Sequence, residues 1–218
     1  MSLTSPNIDE IVGREPVPGD PNAVRVLFHN EPPLVLSIFD WVNLGLKVNL
    51  GISEALRTVL IHHANILIAE RTATAYLTGR VRTASQVRAH LERKGVSEVL
   101  TSEIVERLQR RGVIDDEQYA LMYVEQQGER YSRGQLISKL RSRGIDAQTA
   151  KDAVVKALSS DVEYHAAKQA ADKFVRRHGP LGDRKSSMKL MQYLFRRGFE
   201  PDLIRKIVQT LEADAHDE

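Results

Sequence analysis

Three short stretches carry residue types that could do chemistry. The first is GPLGDRKS, residues 179–186. Glycines followed by lysine and serine suit a loop whose backbone N–H groups cradle a phosphate while the lysine neutralises it. That chemistry needs Gly-x-x-x-x-Gly-Lys-Ser/Thr after a strand. Here Asp183 and Arg184 separate Gly182 from Lys185, and no strand precedes the loop. The stretch reads as a turn between helices. The second is the pair His62–His63, which points two imidazoles in different directions on a helix and does not chelate one metal. His90, His165, His178 and His216 are scattered. The third is RRGVIDDEQYA, residues 110–120, which switches abruptly from base to acid. It is either an acidic site or the end of one helix and the start of the next. No serine or lysine stands in a recognisable nucleophile context. Catalysis is not expected, nor is a cofactor or a metal.

The elements that would position such groups are bounded by composition. A chain of 218 residues with 42% hydrophobic and 28% charged residues holds one large or two small soluble domains. The absence of cysteine excludes disulfides and thiolate metal sites and fits a reducing compartment. The start MSLTSPNIDE lacks the basic and apolar regions of a signal peptide. The longest apolar run, residues 59–69, is broken by His62, His63 and Asn65 and is too short to span a bilayer. A cytoplasmic protein without a membrane span is expected.

Charge is unevenly spread. Residues 1–60 carry four Lys/Arg and seven Asp/Glu, whereas residues 61–218 carry 27 and 22. The basic tilt of the longer part permits an anionic partner without requiring one.

Organisation changes near residue 53. Six of the eight prolines lie before residue 34, and GREPVPGDPN (13–22) reads as a linker. Two short β-branched or aromatic runs separated by HNEPP follow, a hairpin-like pattern, with Trp41 assigned to sheet packing. From Ser53 onward apolar residues recur at three and four, the period of helices. Ser53 is an N-cap candidate and Gly79 a C-terminal glycine for the first long helix.

Beyond it the chain repeats. Gly95, Gly144 and Gly198 are 49 and 54 residues apart. Each is preceded at four by Leu91, Leu140 or Leu194 and at eight by Val87, Leu136 or Leu190. Each is followed by Val96, Ile145 or Phe199. Such spacing puts an apolar stripe on one helix and ends that helix in a left-handed glycine. TASQ (83–86) and SRGQ (132–135) have capping-box spacing, Asp146 can cap a helix, and Pro201 suits a first turn. The expected fold is mainly α, three tandem three-helix repeats in a curved, elongated array, with a small N-terminal β extension. The expected boundaries are a flexible segment 1–22, a β element 23–52, repeats 53–112, 113–160 and 161–214, and a tail 215–218. In this frame RRGVIDDEQYA is punctuation. Basic residues sit at the negative end of one helix dipole, acids at the positive end of the next, and Asp115 is the N-cap.

RGVIDDEQYA followed by LISKLRSRGID resembles the signature of the RecX family, regulatory proteins of the RecA recombinase. The matching residues are Gly112, Ile114, Asp115, Asp116, Tyr119, Ala120, Leu136, Leu140, Gly144 and Ile145. Val113 stands where the family pattern usually has an aromatic residue. The resemblance covers residues 53–214 and implies binding along the RecA–DNA filament groove. It also implies inhibition of ATP hydrolysis and strand exchange, and hence a role in recombinational repair and the SOS response.

A physical account compatible with this lies in the second helices. They carry Arg82, Arg88, Arg93 and Lys94, then Arg133, Lys139, Arg141 and Arg143, then Arg184, Lys185, Lys189, Arg196 and Arg197. Three repeats could align these into a stepped basic surface for phosphates. Taken singly, each is equally a solvated charge at a helix end. Tyr119, Tyr123, Tyr164, Phe174, Tyr193 and Phe195 could stack bases but at helical spacing belong more naturally to the core. The expected partner is a recombinase filament, with weak single- or double-stranded DNA binding by a monomer. The alternatives are a helical protein competing for single strands and a helical adaptor without DNA contact.

Overall fold

Ser53 marks the change of hydrophobic period, and there the backbone passes from strand β4 (Gly51–Ser53) into helix α2 (Glu54–Leu77). Its hydroxyl accepts from Leu56 N–H at 3.2 Å and caps the helix. The computed structural model describes residues 7–214. By its internal contacts the chain divides into two compact units: residues up to Arg80 with Val87–Arg107, and Val81–Gln86 with the chain from Leu108 onward.

The first unit holds a four-stranded antiparallel sheet in the order β3-β2-β1-β4. It comprises β1 (Asn7–Val17), β2 (Asp20–Phe28), β3 (Leu34–Ser37) and β4. This corrects the flexible segment expected over 1–22: its described part, from residue 7, is strand, turn and strand. Residues 1–6, the tail 215–218 and His216 lie outside the described residues. Pro16 is tolerated because β4 pairs only with Asn7–Glu10, so the far half of β1 has an edge where a missing N–H costs nothing. Pro18 and Gly19, with φ of 78° at the glycine, make the tight turn from β1 to β2. Ile11, Val24, Val26, Phe28, Leu36 and Ile52 form the core of this unit with Leu60 and Ala64 of α2. Trp41 is buried in the same cluster, but from the short helix α1 (Ile38–Asn43) rather than from a strand. The HNEPP loop is anchored by Asp9, whose carboxylate accepts from the N–H groups of His29, Asn30 and Glu31 at 2.9–3.1 Å. Burial of Asp9 opposes ionisation, but its backbone bonds outweigh that and hold the carboxyl below the usual range.

The remaining helices follow in threes. They are α3 (Ala84–Arg93) and α4 (Glu98–Arg110), which continue from α2; α5 (Asp116–Gln127), α6 (Arg133–Arg141) and α7 (Ala147–Ala157); α8 (Ser160–His178), α9 (Arg184–Arg196) and α10 (Pro201–Asp214). No described helix is long and apolar enough to cross a membrane. Leu136, Leu140, Ile145, Ala150 and Val154 form the core of the α5–α7 triad with Ala120 and Val124. Leu190, Leu194, Phe199, Ile204 and Ile207 do the same for α8–α10 with Ala166, Ala167, Ala170, Ala171 and Phe174. In each triad the second helix ends in the same turn. Val96, Ile145 and Phe199 donate back to the carbonyls of Leu91, Leu140 and Leu194 at 3.1, 3.2 and 3.3 Å. The intervening Gly95, Gly144 and Gly198 take φ of 83°, 83° and 80°. These are Schellman turns, closed by a buried leucine on one side and a buried or half-buried apolar residue on the other.

The three glycines are not equivalent. A Cβ on Gly95 meets nothing within 4 Å, whereas one on Gly144 would lie 2.1 Å from Ser85 Cβ. Gly95→Ala should therefore cost only left-handed strain, about 1–2 kcal/mol. Gly144→Ala should cost a further ~1–3 kcal/mol of overpacking. Adding Ser85→Gly should recover part of the second loss and none of the first, as read by urea unfolding. Equal costs at the two glycines would refute the close approach.

Candidate functional site

The close approach of Ser85 to Gly144 is one half of a joint that occurs twice in the second unit. At the first, Thr83 caps α3: Gln86 N–H donates to its Oγ1 at 3.2 Å, and Gln86 Oε1 accepts from Thr83 N–H at 3.2 Å. The same hydroxyl donates to the carbonyl of Arg143, in the glycine turn that ends α6, at 2.8 Å. At the second, Ser132 caps α6 in a full capping box with Gln135, and its hydroxyl donates to the carbonyl of Arg197, in the turn that ends α9. A hydroxyl can accept and donate at once, which is why serine and threonine serve here. Gly134 lets the backbone of α6 come close to Gly198, whose oxygen would lie 3.4 Å from a Cβ there.

A carboxylate from the first helix of the following triad completes each joint. Asp116 Oδ1 accepts from Ala84 N–H at 2.8 Å. Glu163 Oε2 accepts from Arg133 Nε and Nη2, both at 3.1 Å. Burial raises the Asp116 carboxyl above its ordinary range, reinforced by Asp115 and Asp146 and opposed by the Ala84 bond. Asp115 itself caps α5, accepting from Gln118 N–H at 2.9 Å, so the acidic run does serve as helix punctuation.

The joints sort the predicted cations. Arg133 is a structural partner of buried Glu163, whose other oxygen is buried without a hydrogen-bond partner among the described residues. Arg143 lies over the Tyr123 ring at 4.5 Å and donates to Lys139 O at 2.8 Å. Lys139 covers the Tyr131 ring at 4.2 Å, and Arg197 bonds Tyr193 Oη at 2.5 Å. Arg82 is half-buried and engaged. Arg141, Arg184, Lys185, Lys189 and Arg196 are exposed. Arg88, Arg93 and Lys94 belong to the first unit, where Arg88 donates to Ser102 Oγ at 2.8 Å and the other two are exposed.

Of the aromatic candidates, Phe174 is core and the four tyrosines are half-buried, but Phe195 is 64% exposed. Two cations outside the predicted set, Arg130 and Lys173, line a cleft of about 320 Å³ with Arg197, Tyr131 and Gln169. No motif marks them: one lies in a loop and the other on α8. The GPLGDRKS loop places Asp183 at the start of α9, where its carboxylate accepts from Ser186 N–H at 2.7 Å. That carboxylate occupies the helix N-terminus that a phosphate loop would leave open. Among the described residues no group of three His, Asp or Glu could hold a metal. The Ser37 hydroxyl donates to Asp40 Oδ2 at 2.5 Å, and His63 Nδ1 lies 2.9 Å from Asp40 Oδ1.

Fold and site together define a mainly helical protein of tandem three-helix domains whose cations gather at the helix ends. Residues 115–154 match the model of the RecX second three-helix domain, and residues 161–208 that of the third. The chain is similar to a regulatory protein RecX of Bacillus licheniformis, 28% identical over 67% of this chain and 56% of that one. A second, from Geobacillus thermodenitrificans, is 26% identical over 80% and 66%. The chain thus spans under two thirds of the length of these relatives. A crystal structure of a regulatory protein RecX superposes with a TM-score of 0.81 at 21% identity, over 92% of this chain and 98% of that one. RecX from Lactobacillus salivarius gives 0.62 at 26% identity, over 68% and 97%. The domain models, the relatives and the solved structures agree on one family, RecX, to which this chain is similar.

Two outcomes are expected. Arg133→Gln leaves Glu163 as an uncompensated buried acid and should cost about 3 kcal/mol, whereas Arg141→Gln should stay within about 0.5 kcal/mol; denaturant melts decide. The second concerns pH. The folded chain holds the Asp116 proton more tightly than the unfolded chain, so this group's contribution to stability falls as pH rises through and above the ordinary aspartate range. Asp116→Asn keeps an acceptor for Ala84 and removes the titration. Its midpoint relative to the parent should rise between acidic and neutral pH, and a constant difference would contradict the assignment.

Proposed function

We propose that this chain binds a RecA-type recombinase filament on DNA and inhibits its ATP hydrolysis and strand exchange, acting as a monomer in the cytoplasm. The observation that carries the reading is the sorting of cations on the two domains that match the family models. Arg133 pairs with buried Glu163, and Arg143 and Arg197 lie half-buried against tyrosines, while Arg141, Arg184, Lys185, Lys189 and Arg196 are left exposed. Exposed cations on successive repeats suit a partner with repeating phosphates, where many weak contacts add and each is salt-sensitive. A filament of recombinase on DNA presents such a partner. Its protein component supplies the rest of the affinity, so DNA alone is bound weakly.

The test is single-strand-dependent ATP hydrolysis by the cognate recombinase, titrated with this protein at substoichiometric ratios and two salt concentrations. Strong inhibition well below one molecule per recombinase is expected, weakening with salt. A variant with Arg141, Arg184, Lys185, Lys189 and Arg196 changed to glutamine should fall about tenfold or more in potency while melting like the parent. Inhibition only at ratios that saturate the DNA would favour a competitor for single strands. No inhibition at any ratio would overturn the proposal.

A further inference from the structure

The cleft bounded by the loop after α5, by α8 and by the end of α9 carries no sequence motif, and its lining is chemically one-sided. Arg130 enters from the loop, Lys173 from α8 and Arg197 from the end of α9. Tyr131 and Gln169 add neutral polar groups, and Ala166 and Ala170 form a floor without bulk. No carboxylate is among the described lining residues. Glu163, one turn before Ala166 on α8, is already engaged by Arg133. Arg197 is fixed in place: its carbonyl accepts from Ser132, and its guanidinium donates to Tyr193 Oη. Arg130 and Lys173 are exposed.

We infer that this cleft is a subsite for a phosphate of a single-stranded nucleic acid, the position on the second unit where the strand is gripped. The subsite rests on the proposed filament binding and deepens it, because Arg130 and Lys173 lie outside the cations expected from the repeat pattern. Three cations that line one cleft from three separate elements suit a tetrahedral group whose oxygens radiate in different directions. A carboxylate has two oxygens in one plane, which a single guanidinium satisfies. The volume, about 320 Å³, accommodates a phosphate together with part of the attached sugar. The small side chains of Ala166 and Ala170 keep that space open.

The experiment measures the affinity of the full chain for a short labelled oligothymidylate across a salt series. The parent is compared with Arg130→Gln/Lys173→Gln, with the charge-conserving Arg130→Lys/Lys173→Arg, and with Lys47→Gln/Arg80→Gln as a control that removes two exposed cations from the first unit. Arg197 is left unchanged because it also holds a helix end. The cleft variant should bind about tenfold more weakly, with the slope of log K against log salt shallower by about 0.7 for each phosphate no longer neutralised. The charge-conserving variant should restore most of the affinity, and the control should change it less than about threefold. Recombinase ATP hydrolysis is read in parallel. If the cleft variant keeps the parent's strand affinity and slope, the phosphate assignment is overturned. Should inhibition nevertheless disappear in that variant, the cleft touches the recombinase instead, and the proposed function stands. If the parent does not inhibit but the cleft variant still binds the strand more weakly, the subsite stands and the filament reading fails.

Discussion

The second unit depends on a single hydroxyl used twice at each joint. Thr83 and Ser132 each accept a hydrogen bond from the helix they begin and donate one to the carbonyl at the end of the corresponding helix in the next triad. Both bonded groups would otherwise be unsatisfied helix-end polar atoms, and burying them unpaired would cost more than the bonds gain. Both hydroxyl-bearing residues are fully buried. The joint therefore sets contact and orientation together: the start of one helix meets the end of another only where the carbonyl and the hydroxyl coincide.

Glycine makes that coincidence possible. The left-handed turn tips the carbonyls of Arg143 and Arg197 outward from their helices, and Gly144 and Gly198 leave no side chain in the way. The same glycine at the end of α3 has open space around it, so there the conformation alone demands it. One residue type thus answers two constraints, and the repeat spacing of the glycines serves both.

The charge pattern follows from the joint. Arginines cluster at helix C-termini for the ordinary reason that cations suit the negative end of the dipole. Bringing those ends against neighbouring helices divides them: some become structural, stacked on tyrosine or paired with a buried acid, and others stay in water. A basic stripe read from spacing alone contains both kinds.

Local interactions were legible in the sequence because their physics acts over three or four residues. The capping boxes at Thr83 and Ser132, the N-caps Asp115 and Asp146, the Schellman glycines and the apolar stripes of Leu91, Leu140 and Leu194 all follow from nearest neighbours on a helix. Proline misled for the same reason: Pro16 and Pro18 read as a linker, whereas β1 survives because its far half has an unpaired edge, a fact about β4's length. Tertiary structure alone decided that Trp41 packs from a helix, that Arg133 belongs to Glu163, and that Arg130, Lys173 and Arg197 share one cleft. Those residues come from different helices and loops, and no periodicity links them. In the second unit, Arg197 is brought beside Tyr131 and Arg130 where the Ser132 hydroxyl reaches the Arg197 carbonyl.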